Sequence, residues 1–198
     1  IMWVVTEKVH GANFSFIYEE SELKYAKRKE YLSLKDNFFG FQLIVQKYEE
    51  RILKLFETLS VDFDASKYII YGELFGGKYP HPDVKELKEL HAVQTGVYYS
   101  PDIDFYAFDI AYETEGSKTY LAYSEALKYF ESAELIFAKP LLIGKLNDAV
   151  QFNMRVDSYI PKLLNLPSIE GNMIEGVVIK PYDRISEDDF RQRPIFKM

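Results

Sequence analysis

The chain has 198 residues, 47% of them hydrophobic, enough for a substantial core in one compact unit, and its 16 Tyr and 15 Phe supply large apolar faces with polar handles. With no cysteine, it has no disulfides, thiolate metal ligands or cysteine nucleophiles, which suits an intracellular setting. A formal net charge of −7 excludes a protein that coats nucleic acid by charge alone, because phosphate-dominated binding needs clustered Lys and Arg.

No apolar run approaches the roughly 20 residues that span a bilayer, and no secretory signal is visible. Position 1 is Ile, consistent with a segment further upstream. Residues 2–9 read as a strand with an apolar start. A turn follows at Gly11, and residues 13–18 alternate polar and apolar side chains as a half-buried strand does. Residues 24–29, Lys-Tyr-Ala-Lys-Arg-Lys, read as a phosphate-contacting strand or, with equal weight, as a solvated charged one. From Phe41 to Leu59 the apolar residues Phe41, Ile44, Val45, Tyr48, Ile52, Leu55, Phe56 and Leu59 recur at helical spacing, with charges on the remaining face.

A turn around Asp62 and Asp64 leads into an apolar strand, Lys67–Phe75, that stops at Gly76 and Gly77. Pro80 and Pro82 remove two backbone donors and predict a loop over 79–83. Residues 105–112 read as a buried strand, and Ser124 as the cap of a helix over 125–132 that turns Ala126, Leu127 and Phe130 inward. Short strands or helices are expected over 135–164. Strands at 174–181 and 195–197 flank a polar insertion at 183–194. No internal repeat, low-complexity tract or linker is visible.

The segment Lys8-Val9-His10-Gly11-Ala12-Asn13 sets a lysine at the exit of an apolar strand, ahead of a glycine that lets a phosphate approach, and so presents an amine nucleophile to a nucleotide. Taken alone, Lys-x-x-Gly arises about once by chance in such a chain, and a solvated Lys8 paired with Glu7 is the plainer reading. Three further strands, Tyr71–Gly77, Phe105–Ile110 and Glu175–Pro181, each carry a polar group within an apolar run. Burying such groups is costly unless a partner or ligand compensates, whereas each singly reads as an outward-facing charge.

In this order the segments resemble the signature motifs of the covalent nucleotidyltransferases, and among them the RNA ligase 2 family of phage-type and kinetoplastid RNA-editing ligases. The resemblance spans nearly the whole chain. Lys8 to Asn13 resembles the nucleophile motif, Arg28 the next basic motif, Tyr71 to Gly77 the acidic motif and Phe105 to Ile110 the segment with an adenine-stacking ring. Glu175 to Lys180 and Ile195 to Met198 resemble the last two motifs. A DNA ligase would show Asp where His10 stands.

The resemblance implies an α+β fold in which antiparallel sheets enclose a nucleotide cleft with helices outside, residues 1–198 forming one adenylation domain. It implies ATP-dependent sealing: Lys8 attacks the α-phosphate to form lysyl-AMP, AMP passes to an RNA 5′-phosphate, and a 3′-hydroxyl displaces it. Arg28, Lys180, Lys197 and a divalent cation, Mg²⁺ or Mn²⁺, would lower the pKa of the amine and neutralise phosphates. Glu73 and Glu175 are the acidic pair for the metal, Glu73 mainly for the ribose, because carboxylate oxygens suit a hard cation. Phe108 would stack on adenine and Val178 close the other face. Glu7, Val9 and Asn13 would contact the nucleotide, Asn13 at a phosphate or at the nick. His10 would serve the RNA steps or orient its neighbours.

The terminal motif ends one residue after Lys197, where the family has a further basic residue, and neither the family's upstream adenine-holding segment nor its carboxy-terminal domain is visible. The expected partners are RNA with 5′-phosphate and 3′-hydroxyl ends and an accessory RNA-binding domain or protein. No membrane is expected, and the compartment is mitochondrial if the chain is an editing ligase. The rival readings are an mRNA-capping guanylyltransferase, a DNA ligase and a noncatalytic nucleotide-binding scaffold.

Overall fold

The structure, a computed structural model, describes residues 1–184 and 193–198. In chain order the elements are β1 (Trp3–Lys8), β2 (Ala12–Glu19), β3 (Glu22–Ala26), β4 (Tyr31–Leu32), α1 (Phe41–Asp62), β5 (Lys67–Lys78), β6 (Ser100–Thr114) and β7 (Ser117–Tyr120). They continue as α2 (Tyr123–Ser132), β8 (Ile136–Phe137), β9 (Pro140–Gly144), α3 (Leu146–Val150), α4 (Ile160–Leu163), β10 (Gly176–Pro181) and β11 (Phe196–Lys197). The strands form two sheets, a smaller one ordered β11-β10-β1-β9 and a larger one ordered β4-β3-β2-β5-β6-β7 with β8 parallel to β6. Every other pairing between named strands is antiparallel, so the fold is α+β as expected.

The larger sheet is held by α1. The eight apolar residues read from the spacing are its buried ones. They pack on Phe14 and Phe16 of β2, Ile70 and Leu74 of β5 and Phe105 and Ile110 of β6. Edge-on ring contacts, such as Phe16 to Phe105 at 5.1 Å and 87°, add directional packing to this apolar burial. Fully burying side chains of this size contributes about 1.5–3 kcal/mol each, so this layer dominates stability. α1 is also fixed to β6 through Asp104, a buried carboxylate that accepts from the hydroxyl of Tyr48, from Lys47 Nζ at 2.8 Å and from the Phe105 amide at 2.8 Å.

The smaller sheet has its own core, in which Trp3 and Val5 of β1 meet Val177 and Ile179 of β10 and Ala149 of α3. A third cluster joins the sheets: Val9, just past β1, packs with Phe75, Tyr99, Tyr106, Ala138 and Ile160. No helix among the described residues is long and apolar enough to cross a membrane.

Several elements differ from expectation. β2 is not half-buried: Phe14, Ser15, Phe16 and Ile17 are all buried, because Phe14 and Phe16 face α1 while Ile17 joins Ile69 and Ala26 on the other face. The basic run is a strand only to Ala26, after which residues 27–30 form a bend and Lys27 pairs with Glu30 at 3.4 Å. Asp62 closes α1 instead of forming a turn. β5 continues through Gly76 and Gly77 to Lys78, with an irregular register that their left-handed backbones permit.

Ser124 does not cap α2. Ala122 takes that position, and the Ser124 amide, inside the first turn, donates to the Tyr182 carbonyl at 2.9 Å. The short elements expected over 135–164 are β8, β9, α3 and α4. Of the stretch read as a polar insertion, residues 185–192 lie outside the described residues.

Candidate active site

β1 runs between β10 and β9 and ends at Lys8, and the chain then crosses through Val9, His10 and Gly11 into β2 of the larger sheet. The crossover is tight. A Cβ on Gly11 would stand 1.9 Å from the Leu74 carbonyl of β5, so close backbone approach by itself requires the glycine, a reason that its sequence context did not supply. This junction puts the end of one sheet beside the start of the other, and the cleft opens between them.

Lys8 Nζ lies 3.3 Å from Glu175 Oε1, the residue just before β10, whose other oxygen lies 3.4 Å from His10 Nδ1. All three side chains are about one-third exposed. Lys8 therefore pairs with Glu175 and not with Glu7. Glu73, opposite Asn13 in the β2–β5 register, sits in the same field. Its pKa is pushed up to about 7, mainly by burial, against the lowering effect of Arg28, with Glu175 raising it and Lys8 and Lys197 lowering it further. One carboxyl thus senses Arg28, Glu175, Lys8 and Lys197 together, although these come from a bend, a loop and two sheet strands.

Among the described residues no three His, Asp or Glu side chains converge as a ready-made metal site. A carboxyl whose ionisation a neighbouring glutamate makes more costly, as Glu175 does for Glu73, does fit a hard divalent cation that keeps waters and draws its other ligands from phosphate oxygens.

At the far end of the cleft Phe108 and Val178 both line the wall. Phe108 lies where the β5–β6 register shifts, and Lys180 Nζ donates to its carbonyl at 2.9 Å. Lys180 is 3% exposed, opposite Val4, four positions along β1 from Lys8 or about 13 Å at roughly 3.3 Å per residue. Its ammonium also lies 3.5 Å from Asp109 Oδ1, and burial lowers its pKa. The sequence reading set Lys180 on the phosphates; it lines the same cleft as Lys8 and Lys197, with its ammonium bonded to Phe108 and Asp109.

Asp109 is the acceptor that makes this burial tolerable. Both its oxygens bind Arg193, at 2.7 Å each, and the guanidinium lies 4.3 Å from the Tyr120 ring centre. Asp109 stood within a quoted strand without a role, and Arg193 lay inside the stretch read as a polar insertion. Only the rule that a buried ammonium needs a carboxylate pointed to Asp109, and nothing local marked Arg193.

Glu7 borders the cleft, but alternation turns its carboxyl to the face opposite Lys8, where it is 1% exposed. Neither oxygen has a hydrogen-bond partner of good geometry. Ser158 and the Tyr159 backbone lie near enough only to offset part of the burial, and the pKa is pushed up to about 7. The Glu7 carbonyl accepts from the Tyr106 hydroxyl at 2.7 Å. Val9, Asn13, Arg28 and Lys197 line the cleft as expected, whereas Lys24 of the basic run pairs with Glu19 at 3.2 Å.

Comparison with known proteins adds a family. A family described as RNA ligase matches residues 1–198. The chain is 36% identical over 200 residues to the mitochondrial RNA-editing ligase 2 of Trypanosoma brucei brucei, covering 90% of this chain and 48% of that protein. It is 30% identical over 209 residues to the mitochondrial RNA-editing ligase 1 of the same organism, covering 90% and 44%. The chain thus spans about half the length of the curated relatives it matches. Among solved structures, Naegleria gruberi RNA ligase with pyrophosphate superposes with a TM-score of 0.62 at 17% identity, covering 99% of this chain and 48% of that one. A mutant of that ligase with ATP and Mn superposes at 0.60 and 19%. At these identities the structural likeness is one of fold.

Proposed function

The chain belongs to the RNA ligase family, and from that premise we propose that it is the adenylation domain of an ATP-dependent RNA ligase. The single observation that carries the reading is the Lys8 amine at the junction of the two sheets, 3.3 Å from Glu175 and within the field shared by Glu73, Arg28 and Lys197. Lys8 Nζ attacks the α-phosphorus of ATP, a phosphorus–nitrogen bond forms as pyrophosphate leaves, and the amine gives up its proton. An oxygen of an RNA 5′-phosphate then displaces lysine from AMP, and a 3′-hydroxyl attacks that 5′-phosphorus to expel AMP and close the phosphodiester.

Each residue has a task in this scheme. Phe108 and Val178 cover the faces of adenine, and the backbone at Glu7 and Val9 borders its edge. Lys180, Asp109 and Arg193 hold the Phe108 segment in position, which replaces a phosphate role for Lys180. Arg28 and Lys197 meet the phosphates, and Asn13 holds a phosphate oxygen. Glu73 takes the ribose hydroxyl. Glu73 and Glu175 would hold a hydrated Mg²⁺ or Mn²⁺, which when bound neutralises charge developing on the phosphate oxygens. The relatives are named as mitochondrial RNA-editing ligases, and a mitochondrial setting with an accessory RNA-binding domain or protein goes with the editing reading.

The test is intact mass after incubation with ATP and Mg²⁺. A gain of one AMP is expected in the wild type and none in Lys8→Ala with its melting temperature unchanged. Label taken up from GTP in place of ATP would make the chain a capping-type guanylyltransferase, and an undiminished adduct in Lys8→Ala would remove Lys8 as the nucleophile.

A further inference from the structure

The crossover between the sheets contains a backbone donor that neither sheet can satisfy. β1 ends at Lys8 and β2 begins at Ala12, so the amide of His10 has no ladder partner, and a buried N–H left unpaired is strongly unfavourable. It donates instead to the hydroxyl of Tyr99 at 2.8 Å. Tyr99 lies on the segment entering β6 and is 1% exposed, with its ring edge-on to Phe75 at 5.5 Å and 72°. It shares its cluster with Val9, the residue between the nucleophile and His10. Burial, with Glu7, Glu175 and Glu73 facing it, pushes the phenol pKa up, so the group stays an uncharged hydroxyl whose oxygen accepts.

The contacts form a chain. Tyr99 holds the backbone of His10, the His10 ring lies 3.4 Å from one oxygen of Glu175, and the other oxygen lies 3.3 Å from the Lys8 amine. We propose that Tyr99 is a positioning residue for the ligase reaction: its hydroxyl pins the crossover so that His10 and Glu175 are held together beside Lys8. This role rests on the ligase reading above. Tyr99 is not among the residues lining the cleft, so it acts through the His10–Glu175 pair beside Lys8 and not by touching the nucleotide, and its loss falls on the rate of lysyl-AMP formation more than on the affinity for ATP.

Tyr99→Phe removes one oxygen and keeps the ring. In the full chain, lysyl-AMP formation at saturating ATP is expected to fall about tenfold or more, while the ATP concentration that half-saturates it stays within about threefold of wild type. His10→Ala should show the same split. The double variant should be no slower than His10→Ala alone, because both remove the same contact chain. Hydrogen exchange on the wild type supplies a check independent of any variant: the His10 amide should be protected as a buried bonded donor is. Lysyl-AMP formation at the wild-type rate in Tyr99→Phe, effects that multiply in the double variant, or an unprotected His10 amide overturns the proposal. A wild-type chain that forms no lysyl-AMP overturns the ligase reading itself, and the role of Tyr99 with it.

Discussion

At the scale of single residues, two buried charges are handled in opposite ways. Lys180 keeps its ammonium because Asp109, locked by Arg193, faces it, so the three act as a unit and removing one strands the others. Glu7 has no such partner and is held near neutrality. Its folded-state pKa of about 7 lies above the ordinary 4.5, so between those values the unfolded chain has released a proton that the folded chain keeps. Stability is therefore full at low pH, falls as pH rises through that window and levels off above it. The loss is about 3 kcal/mol for this group, or roughly 6–12 °C in melting temperature for a domain of this size. Glu7→Gln, which keeps the shape and does not titrate, should lose about half of the slope measured by thermal melts between pH 5 and 8. The remainder belongs to Glu73, pushed up to about 7 in the same window. An unchanged slope would show that the Glu7 carboxyl is ionised in the fold.

At the scale of elements, strands differ in how far their surroundings specify them. α1 was legible from Phe41 to Leu59 because burial on one face is all its pattern encodes, and its last turn, to Asp62, was not because no buried apolar residue marks it. The hairpins β2–β3 and β6–β7 were not, because their turns, Glu20-Ser21 and Glu115-Gly116, put non-glycine residues at positive φ without the usual Asn-Gly signature. Of the residues in and around the cleft, most of those in motifs were singled out, while Asp109, Arg193 and Tyr99 act through partners 71 to 89 positions away in sequence, which no local pattern reports. β11 is a further case, since among the described residues Phe196 and Lys197 pair with β10 alone as strand neighbours and are exposed. A Cβ on Gly176 would stand 2.0 Å from the Met198 carbonyl. Gly176→Ala should therefore push β11 off β10 and carry Lys197 away. Lysyl-AMP formation is expected to fall at least tenfold while the melting temperature drops by only a few degrees, because so little apolar surface is involved. Wild-type adenylation in this variant would show that Lys197 contributes nothing to the first step.

At the scale of the whole molecule, the cleft exists because one short crossover belongs to both sheets. Each sheet packs its own core, a third cluster joins the two, and the nucleophile lies at the seam. The seam also has a direction in time. Lys8 precedes by 167 positions the glutamate it meets, and β10, which pairs with its strand, follows that glutamate. A ribosome-bound chain stopped at residue 170 would display the nucleophile on an unfinished edge, with no Glu175, no Val178 and no Lys197. Such nascent chains should take up no label from ATP, whereas chains whose residues 1–198 have all emerged should. Adenylation is thus expected to wait on the order in which its parts emerge, and labelling of the stalled chain would show that residues 1–170 suffice.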